Sequence, residues 1–358
     1  MIIHVIGARP NYPKAAPLIR ALQDQKQLVV HTSQHYDANM CQDMLKGLGM
    51  SDPDIYLEKF NQSANDYYFY KTNRMSYMTN ELYKIFMRYK PSMVFVYGDI
   101  DSTLAAAMAA KTSNCKVAHI ESGLRSFDDE MPEEINRKIV DSISDFCFVT
   151  EQSGIDNLKG CRNKIFFVGN TMIDSLVWMQ KEGLLVKENN NKKYIVLTAH
   201  RPSNVDDPSQ LKNIVSLCEN ITSRHVDIVW PVHPRTKTNL KKYNLWDLIV
   251  DNKKIETLGP MNYIEFIQLV YNSYAVVTDS GGIQEETSFM GIPCYTIRKN
   301  TERPVTIDEG TNRLVKLQNN SLSNFITDEI NNIRKKTTIP LWDGKASDRI
   351  RKIILKNM

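Results

Sequence analysis

Short apolar runs rich in valine, isoleucine and aromatic residues recur along the chain. In the first half they are IIHVIG, LVVHTS, MVFVYG, KVAHI and FCFVT; in the second, YIVLTA, DIVWPV, IETLG, AVVTD and GIPCYTI. Runs of this length and make-up fit strands buried on both faces of a parallel sheet. Helix-length segments separate them, such as APLIRALQDQ and YIEFIQLVYNS, with apolar residues near helical spacing. The alternation predicts an α/β protein built on parallel sheets. A natural break falls near FFVGNTMID (166–174), with about five strands on either side. Two doubly wound domains facing each other across a central cleft are therefore expected, over 1–168 and 169–342. The closing stretch, DGKASDRIRKIILK within 343–358, is expected to form a helix that packs back on the first domain.

Composition supports this division and narrows the partners. A chain of 358 residues is long for one core and comfortable for two. Its 42% hydrophobic and 24% charged content is ordinary for a globular protein. The net charge of +4 is small and dispersed, so no nucleic-acid partner is expected, while a small anionic ligand is allowed. The cysteines (Cys41, Cys115, Cys147, Cys161, Cys218, Cys294) are scattered with no C-x-x-C pair. They read as buried thiols in a reducing compartment, which points to the cytoplasm. The opening MIIHVIGARP reads as a buried strand rather than a signal peptide. No run approaches the roughly 18 apolar residues of a bilayer span, so no membrane partner is expected. KENNNKK (187–193) reads as a polar linker or loop tip.

Polar residues gather at the carboxyl ends of the strands, the edge at which open α/β sheets bind ligands. After the first run, GARPNYPK offers Arg9 and Lys14 to a phosphate or a carboxylate, although a solvated basic helix start has the same pattern. P-loop spacing is absent, and so is a G-x-G-x-x-G with an acid about 20 residues on, so no nicotinamide is expected. His31 and His35 stand at the spacing of a helical metal pair, but His31 falls in or at the end of a strand. The two would not share a face, and no metal is expected. Asp99 and Glu121 end runs expected to be neighbours, and several carboxylates in one crevice suit proton transfer at carbon. Glu133 and Glu134 follow Pro132, where a helix dipole favours acids for purely structural reasons. His200 and Arg201 end the YIVLTA run; such a histidine is as readily structural as catalytic. VVTDSGGIQEE (276–286) joins a strand, a glycine turn and a helix start into a phosphate cradle, yet carries Glu285 and Glu286.

Together these pieces resemble the UDP-N-acetylglucosamine 2-epimerase family over nearly the whole chain. The family's G-[TA]-R-P-x-x-x-K start is matched by Gly7 to Lys14, its Q-H pair by Gln34-His35, and its G-D-x-x-[ST]-T element by Gly98 to Thr103. Then follow E-[AS]-G-L-R (Glu121–Arg125), P-E-E-x-N-R (Pro132–Arg137), H-R (His200-Arg201), D-S-G-G-x-Q-E-E (Asp279–Glu286) and T-E-R-P (Thr301–Pro304). The resemblance implies a GT-B-type fold of two Rossmann-like domains, catalytic carboxylates in the first and UDP held by the second. It implies elimination of UDP across C1–C2 of UDP-N-acetylglucosamine to a 2-acetamidoglucal, and re-addition with the C2 proton on the other face. The product would be UDP-N-acetylmannosamine, a precursor for cell-surface polysaccharide.

By the same resemblance, Asp99, Glu121, Glu133, His200 and Lys14 are the catalytic residues. Arg9, Gln34, His35, Arg137, Arg201, His233, Ser280, Gly281, Gly282, Glu286 and Arg303 would bind substrate, with Glu286 on the ribose hydroxyls. Glu285 is left as a solvated side chain. No cofactor is implied, and the likeness implies a homodimer. Relatives that hydrolyse the substrate to N-acetylmannosamine, relatives that act on modified UDP-sugars, and glycosyltransferases of the same fold are the alternatives. HRPSNVDD, HYDAN and FNQSANDYY depart from the commonest bacterial pattern, so activation by a second substrate molecule is not carried over.

Overall fold

A computed structural model describes residues 1–34, 38–60, 67–161, 164–188, 193–317, 326 and 337–357. His35, and most of the FNQSANDYY and KENNNKK stretches, lie outside the described residues. The chain divides into two compact units, Met1–Met179 with Pro340–Met358, and Gln180–Ile339.

The first unit holds strands β1 (Ile2–Ile6), β2 (Gln27–His31), β3 (Ile55–Tyr56), β4 (Met93–Tyr97), β5 (Lys116–Ser122), β6 (Phe146–Val149) and β7 (Lys164–Phe167). They form one sheet in the order β3-β2-β1-β4-β5-β6-β7, every pair parallel. All residues of β1 and β4 are buried, as expected of central strands covered on both faces. One face carries Ile3, Val5, Val94 and Val96 against Leu104 and Ala107 of the helix Asp101–Thr112 and Leu82 and Phe86 of the helix Tyr67–Tyr89. The alternate residue His4 stacks on Phe95 at 5.1 Å, and burial pushes this histidine down to about 4.

The second unit holds β8 (Tyr194–Thr198), β9 (Asp227–Pro231), β10 (Ile255–Leu258), β11 (Ala275–Thr278), β12 (Cys294–Thr296) and β13 (Asn312–Leu314). Their order is β10-β9-β8-β11-β12-β13, again all parallel. Alternation splits its core cleanly. Ile195, Leu197, Trp230 and Val277 feed one apolar cluster, while Val196, Val229 and Val276 feed another.

The two sheets are wound alike. In each, the first strand lies between the second and the fourth of its unit, so winding reverses at β1/β4 and at β8/β11. The crevice outside the carboxyl ends at such a reversal is where doubly wound sheets take ligands. The strands missed in the sequence are the two-residue β3 and the three-residue β13, too short to show a period, and β7, which occupies the expected break.

The C-terminal helix Ala346–Asn357 packs on the helix Tyr12–Ala21. Ile350 and Ile354 are buried, and Arg351 donates to the Ala21 carbonyl at 2.8 Å and pairs with Asp24. Asp174 receives its first turn, accepting from the N–H groups of Ala346 at 3.1 Å and Ser347 at 2.7 Å.

Candidate functional site

Several of the candidate residues stand at the two winding reversals, and each unit is described by itself. In the first, β1 runs into Gly7, where a Cβ would lie 2.2 Å from Ser102 Oγ and 2.3 Å from Thr32 Oγ1; only glycine fits. Asn11 Oδ1 accepts the N–H groups of Gly7 at 3.0 Å and Ala8 at 3.2 Å, and its amide donates to the Tyr97 carbonyl at 3.0 Å. The turn after β1 is thereby tied to the end of β4. Arg9, half-buried, opens a 3-10 turn here, and Lys14 follows on the first turn of the helix Tyr12–Ala21.

Lys14 forms a buried ion pair with Glu121. Glu121 sits near the end of β5 with φ 71°, where the β5/β6 register slips between Ile120 and Ser122. A left-handed glutamate in a strand is strained, and such strain persists only where the surroundings enforce it. Gly98, also left-handed at φ 64°, passes close beneath: a Cβ there would lie 3.1 Å from Lys14 Nζ.

Asp99 is partly exposed and pairs with Arg137, which is itself almost fully buried and also pairs with Glu134. Asn136 steadies the same loop, donating to the Asp99 carbonyl at 2.9 Å. The adjacent glutamates on the first turn of the helix Pro132–Ile143 differ sharply. Glu133 is exposed, whereas Glu134 is enclosed and accepts from Ser126 N–H at 2.8 Å. Burial alone would raise Glu134, but Ser126 and Arg137 outweigh it and hold the carboxyl below its ordinary range. Gln34 accepts from Ser102 N–H at 2.8 Å and Ser102 Oγ at 2.6 Å, satisfying the start of the helix Asp101–Thr112. His31 lies in β2 with its ring tilted 30° to that of Tyr12 at 5.9 Å, and burial pushes it down to about 4.

A buried cluster behind these carboxylates was not legible in the sequence. His119 Nδ1 is 2.8 Å from Asp141 and its Nε2 2.8 Å from the Gly98 carbonyl. Asp141 also accepts from Arg125 at 2.6 Å and from Gly123 N–H at 3.2 Å. It thereby braces the loops on either side of Asp99 and Glu121. Its partners come from separate stretches of chain, so no local spacing announces it.

In the second unit, Asp279 follows β11 fully buried, and Ser280 stands at the N-cap position of the helix Gly281–Met290 without a side-chain capping bond. Asp279 accepts the N–H groups of His200 at 3.0 Å and Arg201 at 2.9 Å, and lies 3.0 Å from His200 Nδ1. Burial would raise this carboxyl, but His200 and the surrounding donors hold it below its ordinary range. The His200 ring is exposed, 5.8 Å from that of His233, whose Nδ1 accepts Arg235 N–H at 3.2 Å and caps the helix Pro234–Lys242.

Gly281 is closely packed: a Cβ there would fall 2.8 Å from Arg303 Nη1 and from Glu302 Oε1, so those side-chain ends would have to shift. Half-exposed Gly281 and Gly282 begin the helix, whose first N–H groups have no intrahelical acceptors and suit an anion. Glu286 is almost enclosed and accepts from Tyr263 OH at 2.6 Å. Glu285 corrects an expectation: it is fully buried, not solvated, and pairs with Arg303 Nε at 2.9 Å. Arg303 also meets Glu302, which holds Arg298 at 2.9 Å. The second carboxylate of the motif thus belongs to a buried ionic network under the helix start. Among the described residues, no group of three His, Cys, Asp or Glu side chains is placed to hold a metal ion.

Carboxylates with buried cationic partners can exchange protons in one unit, while a histidine and a helix start can receive a phosphate in the other. The family model described as UDP-N-acetylglucosamine 2-epimerase matches residues 19–355. The UDP-N-acetylglucosamine 2-epimerase of Methanocaldococcus jannaschii is 37% identical over 98% of this chain and 97% of its own. Its crystal structure in complex with UDP-GlcNAc and UDP superposes with a TM-score of 0.88, at 36% identity, covering 99% of this chain and 100% of that one. The UDP-2,3-diacetamido-2,3-dideoxy-D-glucuronate 2-epimerase of Pseudomonas aeruginosa is 38% identical over 88% of each chain. Motifs, winding and relatives agree, and the chain belongs to the UDP-N-acetylglucosamine 2-epimerase family of isomerases.

Proposed function

We propose that the chain interconverts UDP-N-acetylglucosamine and UDP-N-acetylmannosamine without hydrolysis, the first unit carrying the proton chemistry and the second holding UDP. The observation that carries this reading is the pair Asp99 and Glu121, at the ends of adjacent strands β4 and β5, each matched to a buried cation. The C2 proton of the sugar is not next to a carbonyl, so direct abstraction is difficult. A base removes it as the C1–O bond breaks and UDP departs with the electron pair, leaving the 2-acetamidoglucal. In the return step a UDP oxygen attacks C1 while C2 takes a proton on the opposite face. Asp99, Glu121 and exposed Glu133 are the proposed acid–base groups, and Lys14 and Arg137 hold Glu121 and Asp99 in place. His200, Arg201, His233, Arg9 and the 280–282 turn would stabilise the departing diphosphate, with Glu286 on the ribose.

Supporting a second reading, the relative of 38% identity is named for a diacetamido uronic sugar, so a UDP-sugar modified at C3 and C6 is the alternative substrate. The proposed setting is the cytoplasm, in keeping with the free thiols of Cys115, Cys147, Cys161, Cys218 and Cys294. A homodimer is proposed, with Met108, Ile135 and Ile139 offering exposed apolar side chains on adjacent helices.

Incubation with UDP-N-acetylglucosamine in D2O, followed by NMR, tests the reaction. A mixture of UDP-linked gluco and manno isomers with deuterium at C2 is expected. Protium retained at C2 with no new isomer would exclude this substrate, and free N-acetylmannosamine with UDP would reveal hydrolysis. Asp99→Asn and Glu121→Gln should each lower kcat at least about 10²-fold; a near-normal rate removes that residue from the acid–base set.

A further inference from the structure

Asp279 gathers donors from a single loop of the second unit. Its Oδ2 accepts from His200 N–H at 3.0 Å, Arg201 N–H at 2.9 Å and Asn204 Nδ2 at 3.0 Å, the His200 N–H also reaching Oδ1 at the longer distance of 3.2 Å. Its Oδ1 lies 3.0 Å from His200 Nδ1. A fully buried carboxylate facing three other donors has acceptor positions to offer and no proton to give. The nitrogen beside it is therefore the N–H nitrogen of the ring, and Nε2 is the atom turned outward on a side chain 44% exposed. His233, the neighbouring ring, has its own Nδ1 engaged with Arg235 N–H and does not compete for this contact.

We propose that Asp279 is a positioning residue that forms a carboxylate–imidazole dyad with His200, fixing the Nδ1–H tautomer so that Nε2 meets the departing diphosphate. The leaving group in this statement rests on the epimerase reading, whereas the dyad rests on the geometry above. An ionised aspartate is needed for a specific reason. Asparagine would leave its oxygen with the three donors on the Oδ2 side and turn its NH2 toward His200 Nδ1. That nitrogen would then have to accept, and the ring proton would move to Nε2. The loop survives this exchange, but the tautomer is reversed.

The test begins with 15N-histidine NMR of the full chain, with the His200 signals assigned through H200N. The Nδ1-protonated form is expected for neutral His200 in the wild type and the Nε2-protonated form in D279N. An Nε2-protonated His200 in the wild type overturns the proposal, whether or not D279N folds. In turnover of UDP-N-acetylglucosamine, D279N should lose about 10²-fold or more in kcat, with KM within about threefold. Adding D279N to H200A should change kcat by less than about threefold, because the partner it acts through is gone. A full additive loss in that background means that Asp279 serves only the fold, and overturns the dyad. If the wild type does not turn over this substrate, the epimerase reading fails and the NMR result alone decides the dyad.

Discussion

Lys14 and Glu121 are buried together, so removing one leaves the other charge in a low-dielectric setting without its partner. Breaking such a pair costs about 3–5 kcal/mol, whereas removing both charges with similar shapes costs far less. Lys14→Met is therefore expected to destabilise the first unit by about 3 kcal/mol, with Lys14→Met/Glu121→Gln recovering most of it in urea unfolding. Equal loss in both variants would show that the pair carries packing rather than charge. Both residues stood out as candidates in the sequence, because each follows an apolar run; the strand order sets those runs, β1 and β5, on either side of β4. Glu285 and Glu286 were harder. They are adjacent on one helix and both enclosed, yet one meets Arg303 and the other Tyr263. Those partners come from separate stretches of chain that no helical pattern on 281–290 announces.

At the scale of elements, Asp174 couples the helix Thr171–Lys181 to the start of Ala346–Asn357. Burial pushes its carboxyl up to about 6, against the opposing pull of the Ser347 and Ala346 N–H groups. Between its ordinary value of 3.8 and about 6, the folded chain keeps a proton that the unfolded chain has released. Its stabilising share is thus fully present below the lower value and is lost as pH rises through the upper one. Two pKa units correspond to about 3 kcal/mol at most. Asp174→Asn does not titrate, so its stability relative to the wild type should improve as pH rises from about 3.8 to about 6 and level off above that. A pH-independent difference in parallel urea titrations would contradict this. From the sequence, the tail is expected to form a helix returning to the first domain, but the helix Thr171–Lys181 falls in the second domain there, and no pairing between the two is expected. The short edge strands β3 and β13 were not expected either, because two or three residues carry no period and their place is set by the neighbour they extend.

At the scale of the molecule, the two sheets repeat one winding, and the candidate chemistry gathers at the reversal in each. That placement follows from alternation of strands and helices, which the hydrophobic pattern displays plainly. The limits of the units did not follow so simply. The first runs through the helix Thr171–Lys181 to Met179 and takes back Pro340–Met358, whereas the apolar pattern placed its breaks after 168 and 342. A strand followed by a polar turn looks like a boundary, but the burial of Ile173, Leu176 and Met179 ties the next helix to the unit before it. Among the described residues, no helix is long and apolar enough to cross a membrane.

Because the first unit opens the chain and also claims its last stretch, it encloses the second in sequence as brackets enclose a phrase. A ribosome therefore delivers all of Gln180–Ile339 before it delivers the helix that covers Tyr12–Ala21. The inner unit is expected to mature first during synthesis, while the outer one waits with an unfinished flank. Expressed alone, 180–339 should give a cooperative unfolding transition, whereas 1–339 should expose apolar surface and bind a hydrophobic dye until a peptide of 340–358 is supplied. A stably folded outer unit in 1–339, indifferent to that peptide, would show that the closing bracket is dispensable.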